Sequence, residues 1–329
     1  MKKFPLVNRC ELQTSRKRYL SNKFSVGIEF NTSGSSGDPL YFYRTALCSA
    51  VDDAHQLSSY KKMGFESGDR IISFNGFQPS DFLCSKNIFW KRKTLFGELP
   101  FGSVQFSSNL LNTKNFKYYL NEIERIKPAI IKGYPSSVYS FFKMIEDSGL
   151  SVSFPIKAIQ LSSENIFEYQ VELIERVSRS RVFRQYGHTE CAMFAEKNLD
   201  KNYQFSPFYG YLEVLDKDGK QVNVGEVGQI TVTGYNCFKQ VFIRYETGDF
   251  GRFQGVCHGK QVVDSIMGRE QDYLIAKSGD AIPITSIISG SHLDINKYVS
   301  LWQIKQVAIG ELEVYTLKTD NVLGIALSK

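Results

Sequence analysis

Residues 115–134 read NFKYYLNEIERIKPAIIKGY, and this stretch decides the fold. Phe116, Tyr119, Leu120, Ile123 and Ile126 recur at helical spacing until Pro128 ends the pattern, which predicts an amphipathic helix. AIIKGY, 129–134, follows as a short buried strand. Beyond it, Ser136 or Ser137 can cap a second helix with Val138, Phe141, Phe142 and Ile145 on its inner face, closed by Gly149. IKAIQLSS (156–163) reads as a second strand, Ile166, Tyr169, Leu173 and Val177 mark a third helix, and RVFRQYG (181–187) is a third strand. Strands alternating with helices of this length imply right-handed crossovers and a parallel sheet, which binds ligands beyond the carboxyl ends of its strands. Two of those ends carry SSE (162–164) and YGHTE (186–190).

After residue 205 the texture changes. YGYLEVLD (209–216), a DKDG turn (216–219), VGQITVTG (227–234) and FKQVFIRYE (238–246) predict antiparallel strands. The fold class expected is therefore α/β: a parallel βαβ sheet subdomain packed with an antiparallel distorted β-barrel, and a new segment past Gly268. That packing would carry Asp249 to the cleft at the parallel strands' ends. Upstream, NTSGSSGDPL (31–40) lies between an apolar and an aromatic segment. Gly34 and Gly37 let the backbone approach a ligand closely, while Thr32, Ser33, Ser35 and Ser36 add hydroxyls to the main-chain N–H groups, a composition suited to wrapping an anion. A flexible connection has the same composition. The loop is not a Walker loop, because Asp38, Pro39 and Leu40 stand where glycine-lysine-[Ser/Thr] would place an ammonium on the β- and γ-phosphates.

The chain has 329 residues, 42% hydrophobic and 22% charged, enough for one large domain and a small one and unlike a disordered chain. Its formal charge of +6 comes from short scattered clusters such as Arg16–Arg18 and Lys91–Lys93, so an anionic small ligand is expected and nucleic acid is not. Cysteines at 10, 48, 84, 191, 237 and 257 form no CxxC pair, the pattern of reduced thiols in a cytoplasmic protein. Cys237, Cys257 and His258 would make a metal site only if the fold gathered them. Asn8, Arg9 and Glu11 interrupt the N-terminal apolar residues before a signal-peptide core forms, and no apolar run reaches the length of about 18 residues that spans a bilayer. A cytoplasmic protein with no membrane span is expected.

Six marked strings follow one another: TSGSSGDP (32–39), KGYPSS (132–137), SSE (162–164), QYGHTE (185–190), RYETGD (244–249) and GREQD (268–272). As a series they resemble the adenylate-forming superfamily of acyl-CoA synthetases, and within it the phenylacetate-CoA ligase and CapK branch of polysaccharide gene clusters. Each string alone is weakly specific; their order carries the resemblance, which covers most of the chain. It implies attack of a small-molecule carboxylic acid on the α-phosphate of ATP, giving an acyl-adenylate and pyrophosphate, with transfer in most members to a thiol, that of CoA or a carrier protein. It implies that Thr32, Ser33, Gly34, Ser35, Ser36 and Gly37 hold the β- and γ-phosphates. Glu190, with Thr189 beside it, would carry Mg²⁺. Tyr186 and Gly187 would lie against adenine, Ser163 and Glu164 would line its pocket, and Asp249 would accept the ribose hydroxyls. Arg269, like Arg244, would approach ribose or phosphate as a fixed cation, and Tyr134, Pro135 and His188 would border the acid. Each residue also has a plainer role: Glu190 or Ser163 as a helix cap, Tyr186 as core, Asp249 as a turn residue, the arginines in surface ion pairs, His188 as a hydrogen-bonded core histidine.

The resemblance also implies a domain plan, with 1–271 a large N-terminal domain whose first subdomain is incomplete, Asp272 a hinge, and 272–329 a truncated α+β domain. The family's late lysine, which contacts the α-phosphate, is not carried over, because Lys329 in TDNVLGIALSK lacks its glycine-lysine context. Three expectations stand side by side: a working AMP-forming ligase, alone or completed by a separate C-terminal chain; a nucleotide or acyl-adenylate binding module; and a structural remnant of a split gene.

Overall fold

The structure, a computed structural model, describes residues 4–21, 26–32, 40–92, 103–197, 202–269, 273–275, 277, 281–283 and 301–317. The chain divides into two compact units, residues 1–247 with 251–266, and residues 248–250 with 267–329.

The first unit opens with a short helix, α1 (Arg9–Thr14), whose N-cap Asn8 accepts from Glu11 N, and a 3-10 turn at Arg16–Tyr19. A hairpin of β1 (Ile28–Asn31) and β2 (Tyr41–Arg44) leads into α2 (Ala46–Lys62). Then come β3 (Ile71–Asn75), α3 (Asp81–Ser85), β4 (Trp90–Arg92) and β5 (Val104–Ser107). The stretch that decides the fold follows as α4 (Phe116–Ile126), β6 (Ile130–Gly133), α5 (Pro135–Asp147), β7 (Ala158–Leu161), α6 (Glu168–Ser178) and β8 (Arg181–Gly187). All five predicted α4 face residues are buried, and Lys127 ends the helix in the left-handed conformation at φ +50°.

The later strands are β9 (Phe194–Lys197), β10 (Tyr203–Phe205), β11 (Gly210–Leu215), β12 (Val227–Gly234), β13 (Tyr245–Cys257) and β14 (Lys260–Arg269). One mixed sheet runs in the order β11-β12-β13-β14-β10-β9-β8-β7-β6-β3-β5-β4. Its strands β5, β3, β6, β7 and β8 are parallel, and β8 then pairs antiparallel with β9. The α/β class holds, and the antiparallel half continues the parallel sheet through β8. One apolar cluster joins this sheet to α4, α5 and α6, and another packs the β1–β2 hairpin against the antiparallel half. In the second unit β15 (Tyr273–Ile275) pairs antiparallel with β16 (Ala281–Pro283), and β17 (Leu301–Ala308) with β18 (Glu311–Leu317). Ile275 N donates to Gln306 Oε1 at 2.9 Å, and Gln306 Nε2 returns a bond to Ile275 O at 2.7 Å.

Three local expectations are corrected. FKQVFIRYE is not a strand from 238: Arg244 sits at φ +48° and the strand begins at Tyr245. The N-terminal segment takes up the backbone groups instead, with Val7 N donating to Arg244 O at 3.0 Å and Leu20 bridged to Gln240. Neither Ser136 nor Ser137 caps α5, which starts at Pro135 after an extended Tyr134. On α6 Leu173 is buried with Gln170, Val171 and Ile174, and Ile166 and Val177 pack against the same cluster as expected, whereas Tyr169 turns edge-on to Tyr139 of α5 at 5.4 Å.

Candidate active site

Adjacent parallel strands β6, β7 and β8 end at one edge of the sheet, and their three trailing loops carry Tyr134–Pro135, Ser162–Glu164 and His188–Glu190. The first two loops are tied together by Glu164, whose carboxylate accepts from Ser136 N and Ser136 Oγ, both at 3.0 Å. Thus the cap that α5 lacks locally comes from the loop after β7, and it places negative charge at a helix N-terminus, where it is favourable. Ser163 is exposed at φ +73° and turns that loop. Gly133 is required where it stands, since a Cβ there would lie 2.8 Å from Phe74 O.

The third loop is built differently. Glu190 is only 5% exposed and accepts a hydrogen bond from Tyr245 OH at 3.2 Å. Cys191 turns the chain at φ +54° and donates its N–H to His188 O at 3.0 Å. Ala192 then crosses β11 and β12 where Gly210 and Gly234 face each other in register. A Cβ on Gly210 would lie 2.4 Å from Ala192 O, and one on Gly234 2.9 Å from Ala192 Cα. The two bare positions form a notch that seats the backbone just after Glu190. Cys237 Sγ donates to the carbonyls of Glu190 and Cys191, each at 3.3 Å. Its hydrogen bond with Cys48 and its burial push the Cys191 thiol up, so it stays protonated and serves as packing. Thr189 is exposed, His188 half-buried and edge-on to Tyr186 at 5.2 Å, and Tyr186 also meets the rings of Tyr203 and Phe205.

The base of the 31–40 stretch is clamped. Thr32 N donates to Leu40 O at 3.1 Å, and Leu40 N donates to Thr32 Oγ1 at 3.1 Å. Arg9 Nη2 also donates to that hydroxyl at 2.8 Å. Leu40 and Phe42 belong to the same apolar cluster as Cys191, Ala192 and Tyr245, so the clamp and the Glu190 loop share a core. Ser33, Gly34, Ser35, Ser36 and Gly37, and Asp272, lie outside the described residues. Asp249, buried on β13 after Gly248 at φ +83°, and Arg269, at the end of β14, belong to the second unit.

Arg244 is buried, not in a surface ion pair. Its Nε and Nη2 donate to Glu213 at 3.0 and 3.2 Å and its Nη1 to Phe4 O at 2.8 Å, in a buried ion pair. Among the described residues no three His, Cys, Asp or Glu side chains gather to hold a metal: Cys257 and His258 sit together at 3.2 Å on an exposed turn, while Cys237 is buried under Glu190. No helix among the described residues is long and apolar enough to cross a membrane. Sequence reasoning missed Tyr245, Glu213 and the Gly210–Gly234 notch. Paired glycines inside strand patterns were the available signal, since they mark close backbone approach.

No family model matches the chain. It is 22% identical to Protein CapK of Staphylococcus aureus over 275 residues, 82% of this chain and 59% of that protein. It therefore spans less than two thirds of the curated relative it matches. Among solved structures, a 2-hydroxyisobutyryl-CoA ligase in the postadenylation state with R3-HIB-AMP superposes with a TM-score of 0.71 at 18% identity, over 95% of this chain and 68% of that one. The same ligase with 2-HIB-AMP and CoA, in the thioesterification state, gives 0.63 at 19% identity, over 95% and 68%. The anthranilate CoA ligase AuaEII with anthranoyl-AMP gives 0.58 at 16% identity, over 90% and 58%. The resemblance carried by the six strings stands: the chain is similar to CapK and has the fold of the adenylate-forming CoA ligases.

Proposed function

We propose that this chain activates a carboxylic acid with ATP, joining the acid to AMP and releasing pyrophosphate. The observation that carries the proposal is the apolar cluster shared by Leu40 and Phe42, at the base of the glycine-serine loop, and by Cys191 and Ala192, beside Glu190. Glu190 follows the carboxyl end of β8, where an α/β sheet takes its ligand.

Thr32, Ser33, Gly34, Ser35, Ser36 and Gly37 would donate to phosphate oxygens as charge builds on the leaving pyrophosphate. Tyr245 occupies one oxygen of Glu190, which leaves the other to a hard cation, and Mg²⁺ entering with ATP fits that donor. Mg²⁺ would supply shared phosphate charge and a polarised α-phosphate. Thr189 stands exposed beside Glu190 and would donate to a phosphate oxygen. Tyr186 and Gly187 would flank adenine with Ser163, while Glu164 keeps that loop on α5. Asp249 would accept the ribose hydroxyls, Arg269 would give the phosphates a fixed cation, and Tyr134, Pro135 and His188 would border the acid. Asp272 would be the hinge between 1–271 and 272–329, and the acyl group would pass to a thiol of CoA or a carrier. The acyl-adenylates and CoA held by the solved ligases support this sequence of steps.

Exchange of labelled pyrophosphate into ATP, with Mg²⁺ and a panel of acids, tests it. Exchange is expected, and Glu190→Ala should lower it by on the order of 100-fold or more. Binding of ATP without exchange would select a nucleotide-binding module, and a chain that binds no ATP would overturn the proposal.

A further inference from the structure

One row of the parallel sheet departs from its neighbours. Strands buried on both faces read as near-continuous apolar runs, and Ile72, Ile131, Ile159 and Phe106 keep to that rule. Yet the residues in register across four adjacent strands, Gln105, Ser73, Lys132 and Gln160, are all polar. Lys132 shares its face with Tyr134, two residues on, and both lie opposite Gly133, which is packed on Phe74 and on Val138 of α5. The row therefore faces α2.

Helix α2 partners two of its four residues, Gln160 and Lys132. Gln160 accepts from Gln56 at 2.8 Å and donates to Ser59 at 3.2 Å. At Lys132 the ammonium donates to the neutral Tyr60 hydroxyl at 2.9 Å, and among the described residues no carboxylate pairs with it. On β5, at the far end of the row, Gln105 is half-buried. A half-buried cation on a neutral oxygen costs stability unless something completes it. Along the strand Lys132 lies about 7 Å below Tyr134, within reach of a small molecule entering past Tyr134.

Resting on the proposal that Tyr134 and Pro135 border the acid, we infer that the acid is polyoxygenated and carries a second anionic group at its far end. Lys132 pairs with that group, and the polar side chains of Gln105 and Ser73 in the same row meet the acid's oxygens. An aryl or alkyl acid would desolvate these groups and leave them unpaired, which is the strongest form of discrimination a pocket can offer.

The full chain should be assayed for pyrophosphate exchange with 3-phosphoglycerate, tartrate and glucarate beside phenylacetate, benzoate and hexanoate. Exchange at least about 10-fold faster with the first set is expected. Lys132→Met should raise KM for those acids about 10- to 100-fold and leave both kcat and the calorimetric Kd for ATP near wild type, and Lys132→Arg should restore most of the loss. Exchange confined to the apolar acids, or a KM indifferent to Lys132→Met, overturns the inference while the ligase proposal survives. Where no acid supports exchange, the ligase proposal falls, and calorimetry of 3-phosphoglycerate on wild type and Lys132→Met decides the inference: equal affinity overturns it.

Discussion

The loops after β7 and β8 leave neighbouring parallel strands, yet they are held by opposite means. The Ser162–Glu164 loop is exposed and kept in place by one carboxylate on one helix end. The His188–Cys191 loop is threaded through the antiparallel half, under Tyr245 and into the notch of Gly210 and Gly234. The first is a polar contact in water, worth little when lost. The second depends on close packing, where a single added carbon is felt. A site assembled this way combines one adjustable wall with one fixed wall.

The largest expected effect tests the fixed wall. Arg244→Met leaves Glu213 buried without its partner and should cost about 3–5 kcal/mol in urea unfolding, with the double variant Arg244→Met/Glu213→Leu recovering most of it. A cost no greater than that of a surface pair would break the contrast between the loops. Next, Gly210→Ala should cost about 1–3 kcal/mol, since its Cβ must displace the Ala192 carbonyl. Gly76→Ala, whose nearest neighbour would be Tyr134 OH at 3.9 Å, is the control and should be milder. Glu164→Ala removes the cap of α5 and should lower stability by about 1 kcal/mol, a shift of a few degrees in Tm.

The smallest effect is one of pH. His55 of α2 packs against Phe194 and Tyr209 with ring centroids 5.6 and 5.0 Å away, and burial holds its pKa below the usual histidine range. In the window just below about 6.5 the unfolded chain therefore binds a proton that the folded chain refuses, so stability rises as pH climbs through that window. Unfolding compared at pH 7.5 and 5.5 should show a difference that shrinks in His55→Gln. An unchanged difference would place the acid sensitivity outside this wall.

What the sequence made legible follows the same divide. Helices α4 and α5 and strands β6, β7 and β8 were readable because each has a period set by its own neighbours, and the alternation of the two fixes a parallel sheet. Glu164 as a cap was not, because Ser136, whose N–H it accepts, lies 28 residues earlier. The strand expected from Phe238 failed because Arg244 takes a positive φ to reach Glu213, a partner 31 residues away in sequence. Helix α2 carries too weak an apolar stripe to stand out, with Cys48, Ser59 and Tyr60 its buried residues, yet it supplies the polar partners of the sheet. In the site, residue types were legible and their supports were not: a glutamate after QYGHT can be read as a ligand, whereas the phenol and the two glycines that fix it belong to strands far along the chain.

The clamp between Thr32 and Leu40 makes the number of residues between them a free engineering parameter. With both ends cinched by reciprocal bonds, the entropy of closure is set at the base, and each doubling of the span adds only about 0.6 kcal/mol. Residues could be inserted between positions 33 and 39, and the clamp beneath would hardly register the change.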